Sequence, residues 1–166
     1  MSMTSIEELA PEHFALVARW LSRPEVNRWL TSDWRNRRVD ATLIAITVRN
    51  RRNRLFLVRH DGDPCGLVSL ADVDSVDRTA MVWYALGEPT HAGHGVSSAA
   101  VLQLVHLAFD QMQLQSIYAW IMEDNVASQR VLEKAGFSQA GRIRRATCSG
   151  ERQVDRVYFD IVAANQ

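Results

Sequence analysis

The chain has 166 residues and a mass of 18.8 kDa, with 19 Lys and Arg residues against 19 Asp and Glu residues. This length predicts a single domain over residues 1–166. A content of 47% apolar and 23% charged residues excludes a disordered chain. The balanced charge also excludes a generally basic nucleic-acid-binding protein.

The neutral total hides an uneven distribution of charge along the chain. Residues 19–59 contain eleven arginines against three acids, whereas residues 60–141 contain ten acids against three bases. Four of these arginines, at positions 49, 51, 52 and 54, form a group that could contact RNA phosphates. No aromatic-interleaved RNA motif accompanies them, so we expect a solvated face and consider nucleic acid an unfavoured partner.

The sequence gives no sign of a membrane or of an oxidising compartment. The longest uncharged stretch, Pro89–Phe109, contains a proline and three histidines, which argues against a transmembrane helix. The N-terminus has no basic region followed by an apolar run, as a secretory signal would. Cys65 and Cys148 lie too far apart in sequence for a disulfide framework or a metal motif. We expect a cytoplasmic protein, monomeric or homodimeric, without a bound metal.

The first half of the chain is predicted to change from helices to strands. A helix over residues 11–21 begins at Pro11, a short helix runs from Pro24 to about Leu30, and another covers Val39–Val48. Between the last two, Thr31–Arg38 is polar and is predicted to be irregular. From Arg54 the pattern changes to strands: an apolar run at 55–58, a second strand at 66–73 and a third at 77–86, rich in Val, Trp and Tyr, predict an antiparallel meander with a hairpin turn at residues 61–63.

The second half alternates helices and strands. Helices are predicted at Val96–Met112 and from an Asn125 cap to Ala135, where Gly136 stops the helix. A buried strand is predicted between these helices at Ser116–Met122. Two further strands, Phe137–Thr147 and Gln153–Val162, follow on either side of a turn at Ser149–Gly150.

A glycine loop follows the predicted strand that ends at Leu86. Gly93-His94-Gly95 leads directly into the helix at Val96. Backbone amides at a helix N-terminus bind anions, and glycines let phosphate oxygens approach the backbone closely. The segment therefore fits a pyrophosphate, although a simple structural turn would explain the two glycines equally well.

A second motif decides between these interpretations. About thirty residues later, Asn125-Val126-Ala127-Ser128 is followed by Glu133-Lys134-Ala135-Gly136-Phe137. A glycine-loop helix, a strand, and an N-x-x-S helix ending in E-K-x-G-F resemble the GNAT superfamily of N-acetyltransferases. The closest similarity is to the branch that contains ribosomal-protein N-terminal acetyltransferases (RimJ/RimL-type). The late segment Gly150–Tyr158 is similar to the G-x-x-x-x-D-x-x-Y ending of that branch.

This resemblance implies a fold and a cosubstrate. The expected α/β fold is a mixed, mainly antiparallel sheet of about seven strands with helices on both faces, and two neighbouring strands splay apart to hold acetyl-coenzyme A (acetyl-CoA). The implied cosubstrate-binding residues are Leu86, Gly93, His94, Gly95, Val96, Ser97, Asn125, Ser128 and Arg130.

The resemblance also implies where the chemistry takes place. A strand amide at Tyr84 or Ala85 would donate to the developing oxyanion, and the Ser128 hydroxyl would protonate or orient the leaving thiolate. Alternatively, that hydroxyl bonds to its own helix backbone. Many family members carry a tyrosine acid where this sequence has Leu132, so that role cannot be transferred to this chain.

The first glycine-loop position also departs from the family pattern, with Ala92 in place of Gln or Arg, and the last position is Ser97. These departures predict weakened cosubstrate binding.

The acceptor side is less defined. The resemblance implies that Glu25, Trp29, Trp34 and Tyr84 contact the acceptor amine. Alternatively, Trp29 and Trp34 close a small satellite core. Trp20 and Trp120 are expected to be core rings. Glu25, Asp33, Asp72 and Glu88 are the candidate general bases. Covalent catalysis by either cysteine is disfavoured, because neither lies in a nucleophile motif.

The expected activity is transfer of an acetyl group from acetyl-CoA to a primary amine by direct attack in a ternary complex. The acceptor is a small-molecule amine, such as an amino sugar or sugar nucleotide, or the α-amine of a protein N-terminus. The alternatives are a catalytically degenerate acyl-CoA-binding protein, suggested by Ala92 and Leu132, and an RNA- or ribosome-associated module.

Overall fold

A computed structural model describes residues 2–35 and 37–164 of the chain. Seven strands form one sheet in the order β1-β2-β3-β4-β5-β7-β6. The strands are β1 Thr4–Glu8, β2 Arg54–His60, β3 Asp63–Asp74, β4 Thr79–Leu86, β5 Ser116–Met122, β6 Ser138–Ser149 and β7 Arg152–Val162. The helices are α1 Phe14–Ser22, α2 Pro24–Asn27, α3 Ser32–Arg35, α4 Ala41–Arg49, α5 Val96–Asp110 and α6 Val126–Lys134.

Helices cover both faces of the sheet, as predicted. One face packs against α5 and α6 through a core that includes Val82, Leu104 and Leu132. The opposite face packs against α1 and α4 through residues that include Trp20 and Ile44. Because side chains alternate along a strand, β4 contributes to both cores.

All neighbouring strands pair antiparallel except β4 and β5. Their parallel pairing covers only the first three residues of β4, Thr79, Ala80 and Met81, which face Ser116–Tyr118. Beyond this point the two strands separate. The fold therefore contains the splayed strand pair that the family resemblance implied.

Most predicted elements are confirmed, including the meander of β2, β3 and β4. The hairpin turn between β2 and β3 has positive φ angles of 50° at Asp61 and 91° at Gly62, as a type I′ turn requires. Gly136 has a φ of 92° and follows α6 directly after Ala135, as predicted for a helix stop.

Three predictions near the N-terminus were incomplete or wrong. Strand β1 was not predicted at all, and α2 ends at Asn27 rather than near Leu30. The segment predicted as irregular, 31–38, contains the short helix α3, although Asn36 lies outside the described residues.

No helix in the described part of the chain combines the length and apolar character needed to cross a membrane. Likewise, residues 2–35 and 37–164 contain no group of three or more His, Cys, Asp or Glu side chains placed to hold a metal ion.

Candidate active site

The separation of β4 from β5 opens a cleft of about 590 Å³. The cleft brings together side chains that lie far apart in sequence. Of the residues predicted to bind the cosubstrate, the oxyanion or the acceptor, all but one line the cleft: Glu25, Trp29, Trp34, Tyr84, Ala85, Leu86, Gly93, Gly95, Val96, Ser97, Asn125, Ser128 and Arg130. The exception is His94, whose side chain is exposed and lies outside the lining.

One end of the cleft is the N-terminus of α5. Gly93 and Gly95 have φ angles of +80° and +75°, and a Cβ at either position would meet no atom within 4 Å. The backbone conformation, and not lack of space, therefore favours glycine at both positions.

The same helix start offers free hydrogen-bond donors. The first helical hydrogen bond runs from the Ala99 amide to the Gly95 carbonyl (3.0 Å), and no side chain caps the helix. The amides of Val96, Ser97 and Ser98 precede that bond, so they have no partner within the helix. These amides, together with the helix dipole, form a site suited to a phosphate or pyrophosphate.

Two basic side chains of α6 line the same cleft. Arg130 and Lys134 are four residues apart, which places them on one face of the helix. Lys134, the only lysine in the chain, was missed as a site residue, although its spacing from Arg130 could have indicated it. The two charges complement an anionic ligand in the cleft.

The N-terminus of α6 presents a hydroxyl group to the cleft. Asn125 Oδ1 accepts a hydrogen bond from the Ser128 amide (3.2 Å), which fixes the first turn as predicted for an Asn cap. Ser128 Oγ lies 2.6 Å from the Tyr84 hydroxyl, which also lies 3.1 Å from the Ser128 carbonyl oxygen. The hydroxyl of Ser128 is therefore bonded across the cleft to β4 and not to the backbone of its own helix.

Burial raises the pKa of the Tyr84 hydroxyl well above its ordinary value, and its hydrogen bond with Ser128 opposes this only in part. The phenol therefore stays protonated at neutral and moderately alkaline pH. From the sequence, Tyr84 was predicted to act through its backbone amide and to contact the acceptor. The contact of its hydroxyl with Ser128 was not predicted, because it joins residues 44 apart in sequence.

The backbone of β4 alternates between its two neighbouring strands. The Gly87 amide donates to the Cys65 carbonyl of β3, and the register pairs Ala85 with Leu67. By this alternation the Ala85 amide faces β3, whereas the Tyr84 amide faces the open side toward β5. Ala85 is therefore not available as an oxyanion donor, which corrects one of the two predicted positions.

Two side chains are excluded from the chemistry by their burial. Leu132 is fully buried in the core beneath α6. Cys65 is also fully buried, and burial raises the pKa of its thiol from 9.0 to about 11. A thiol in this environment is a poor nucleophile.

The other end of the cleft is rich in indole rings. Trp29 and Trp34 come from the segment between α2 and α4, while Trp83 and Trp120 come from β4 and β5. The last two were not predicted as site residues. Trp120 was expected to be a core ring but is only half-buried, whereas Trp20 lies in the core as predicted.

Of the four candidate bases, only Glu25 lines the cleft. Asp33 is exposed on α3, and Asp72 is exposed on β3, where it lies 3.8 Å from Arg52. Glu88 Oε1 accepts a 2.6 Å hydrogen bond from Trp20 Nε1. These placements do not support Asp33, Asp72 or Glu88 as the base.

The sequence of this chain matches a known protein family. Residues 5–138 match the family model described as acetyltransferase (GNAT) domain. The chain is 29% identical over 103 residues to the putative ribosomal N-acetyltransferase YdaF of Bacillus subtilis. The aligned region covers 62% of this chain and 56% of that protein. It is 26% identical over 96 residues to spermidine N(1)-acetyltransferase of Escherichia coli, covering 58% and 51% of the two chains.

A solved structure supports the fold. Spermidine N-acetyltransferase from Vibrio cholerae, in complex with CoA and spermine, superposes with a TM-score of 0.82 at 17% identity, covering 96% of this chain and 95% of that one. At this identity the likeness concerns the fold. The aligned region spans about half the length of the two curated relatives named above.

Proposed function

The chain belongs to the GNAT acetyltransferase family, and from this premise we propose that it transfers an acetyl group from acetyl-CoA to a primary amine by direct attack. The observation that carries the proposal is the cleft between β4 and β5, whose lining combines the uncapped amides at the start of α5 with a pair of hydroxyl groups, those of Ser128 and Tyr84.

Acetyl-CoA matches the distribution of donors along this cleft. The amides of Val96, Ser97 and Ser98 would meet the pyrophosphate, and Arg130 and Lys134 would neutralise phosphate charge. Ala92 supplies no polar side chain there, so backbone amides carry more of the binding. The backbone of β4 that faces away from β3 is free to pair with the amide groups of the pantetheine arm.

The chemistry needs few groups. The lone pair of a neutral amine forms a C–N bond to the thioester carbonyl carbon, and the oxyanion accepts a hydrogen bond from the Tyr84 amide. Collapse of the tetrahedral intermediate breaks the C–S bond, and the Ser128 hydroxyl donates to the sulfur as it leaves. The amine nitrogen loses one proton and the thiolate gains one, so both hydroxyl groups begin and end the cycle protonated.

We propose residues 1–166 as one acetyltransferase domain. One sheet runs through all seven strands of the described residues. We propose a monomer or homodimer as the active form. The two free cysteines suit a reducing cytoplasm.

The acceptor is one of the two kinds expected from the sequence, a small-molecule amine or the α-amine of a protein N-terminus. The relatives are named for ribosomal and spermidine acetylation, so both a protein amine and a small amine occur among similar proteins. Among the described residues, no arginine of the basic segment 19–59 lines the cleft.

The cosubstrate site is tested by titration calorimetry with acetyl-CoA. Replacement of Arg130 and Lys134 by Ala should raise the dissociation constant about tenfold or more, since each charged contact to phosphate contributes on the order of 1.5–3 kcal/mol. The matched control is R49A/R51A, which removes the same charge from exposed positions at the end of α4. Equal affinities for the two double variants would contradict the assigned orientation of acetyl-CoA.

A thiol-release assay over a panel of primary amines tests turnover. Release that depends on both acetyl-CoA and an amine is the expected result. Tight binding of acetyl-CoA without release on any amine would instead support the degenerate acyl-CoA-binding alternative.

A further inference from the structure

The acceptor end of the cleft is lined by four indole rings. Trp29 and Trp34 lie on the helical side, and Trp83 and Trp120 lie on the sheet. The rings of Trp34 and Trp83 have centroids 5.3 Å apart at an angle of 47°. Side chains separated by up to 91 positions in sequence therefore form one aromatic surface.

These rings are only half-buried, although each would gain free energy from full burial. A concave apolar surface that stays open in a folded domain is typical of a ligand-binding site. Burial of a second flat ring against it would remove this surface from water.

The charges around this surface limit what can bind there. Among the described residues, Glu25 provides the only carboxylate of the lining. Arginines already occupy a face of two of the rings: the Arg28 guanidinium lies 4.2 Å from the Trp29 ring centroid, and that of Arg156 lies 4.1 Å from the Trp120 ring centroid. A polyamine needs several carboxylates, whereas an amine with a single charge needs one at most.

We infer that the acceptor is a small monoamine that carries an aromatic body, such as an arylalkylamine. This inference rests on the proposed acetyl transfer and narrows its substrate. The indole rings bind the body of the acceptor by burial and stacking, while the amine points toward the thioester beside Ser128.

The indole-lined part of the cleft also favours the neutral, nucleophilic form of the acceptor amine. An apolar site disfavours an ammonium ion because burial removes its hydration, so it lowers the pKa of the bound amine. A larger fraction of the amine is then neutral and reactive at neutral pH. This fits a cleft in which the candidate bases of the described lining are Glu25, an exposed side chain, and His91.

The substrate class is tested by comparing four acceptors with saturating acetyl-CoA: tryptamine, phenethylamine, spermidine and a tetrapeptide with N-terminal serine. We expect kcat/KM for the two aromatic amines to exceed that for the other two by about tenfold or more, since burial of one aromatic ring contributes on the order of 1.5–3 kcal/mol. Equal or higher kcat/KM for spermidine or the peptide would overturn the inference while supporting acetyl transfer. No thiol release with any acceptor would overturn the proposed function and this inference with it.

Variants of the rings give an independent test. W29L and W34L should each raise KM for tryptamine about fivefold or more, since stacking adds on the order of 0.5–1.5 kcal/mol to lost burial, and leave KM for acetyl-CoA unchanged. The control is I46A, which truncates an exposed apolar residue on α4 and should alter neither constant. Thermal melting identifies any variant that is misfolded. Of the two, W29L should disturb folding less, because Trp29 lies outside the helices. Unchanged KM for tryptamine in both folded variants would overturn the inference.

Discussion

The Tyr84 hydroxyl contacts the Ser128 hydroxyl and can thereby fix its orientation. The Ser128 hydroxyl has one proton, and the Tyr84 hydroxyl lies within hydrogen-bond distance of both Ser128 Oγ (2.6 Å) and the Ser128 carbonyl oxygen (3.1 Å). When the phenol donates its one proton to Oγ and not to the carbonyl, the serine proton is free to point into the cleft. Because burial raises the pKa of the phenol, Tyr84 is a poor acid but a persistent donor. Its expected role is to position Ser128, which itself faces the leaving sulfur.

This arrangement predicts coupled effects on turnover. S128A should lower kcat by about 10- to 100-fold, and Y84F should lower it by about 10-fold, the value of one lost hydrogen bond near 1.4 kcal/mol. KM for acetyl-CoA should change little in either variant. Because Tyr84 acts through Ser128, the double variant should be no slower than S128A alone.

Steady-state kinetics of the two single variants and the double variant measure this coupling. Y118F is the matched control, since the Tyr118 hydroxyl lies outside the cleft lining. Independent, multiplying effects of Y84F and S128A would show that Tyr84 does not act through the serine.

Local and distant features of the site differ in how well the sequence predicts them. The glycine loop at residues 93–95 and the Asn125 cap are local, because a short stretch of chain determines their backbone conformations. The contact of Tyr84 with Ser128 depends on how α6 lies against β4, which no local pattern contains. The contributions of Trp83 and Trp120 depend in the same way on which strand pair separates.

At the scale of elements, the loop after β4 is held against α1. Trp20 Nε1 donates to Glu88 Oε1 at 2.6 Å, and Arg23 donates to the Gly87 carbonyl. Gly87 packs directly beneath the indole, where an added Cβ would lie 2.1 Å from Trp20 Cδ2. This anchor fixes the end of the strand that lines the cleft.

Replacement of Gly87 by Ala should therefore destabilise the protein. The buried indole of Trp20 has little room to move, so we expect the free energy of unfolding to fall by about 1–3 kcal/mol, as for other overpacked sites. Urea denaturation measures the change. G141A is the matched control, because a Cβ at Gly141 meets no atom within 4 Å, and a similar loss in both variants would argue against the steric cause.

The elements that the sequence did not predict are short and polar. Strand β1 pairs only with β2 at the edge of the sheet, and its residues Thr4–Glu8 contain a single apolar side chain, Ile6. Helix α3 has four residues, too few for a helical period to show. Longer elements with a buried face, such as α5 and β5, leave a clear pattern and were predicted within two residues.

Across the whole molecule, the charge asymmetry of the sequence is partly cancelled in space. Four arginines of the basic segment contact acids from other segments: Arg54 pairs with Glu8, Arg59 with Glu7 at 2.7 Å, Arg52 with Asp72 at 3.8 Å, and Arg23 with Glu88 at 3.8 Å. Strand β1 thus brings two carboxylates beside the arginines of β2. A fold that distributes its charges in this way does not favour a polyanion.

This distribution predicts weak binding to heparin or single-stranded RNA at physiological salt. Replacement of Glu7 and Glu8 by Gln should release Arg54 and Arg59 and raise the salt concentration at which the protein elutes from heparin, because each freed cation can displace a counterion from the polyanion. E133Q/E151Q is the control with the same change in net charge, made at exposed positions on other elements, and it should elute near the wild type. Strong retention of the wild type, with equal shifts in both double variants, would instead point to a nucleic-acid-binding face that β1 does not neutralise.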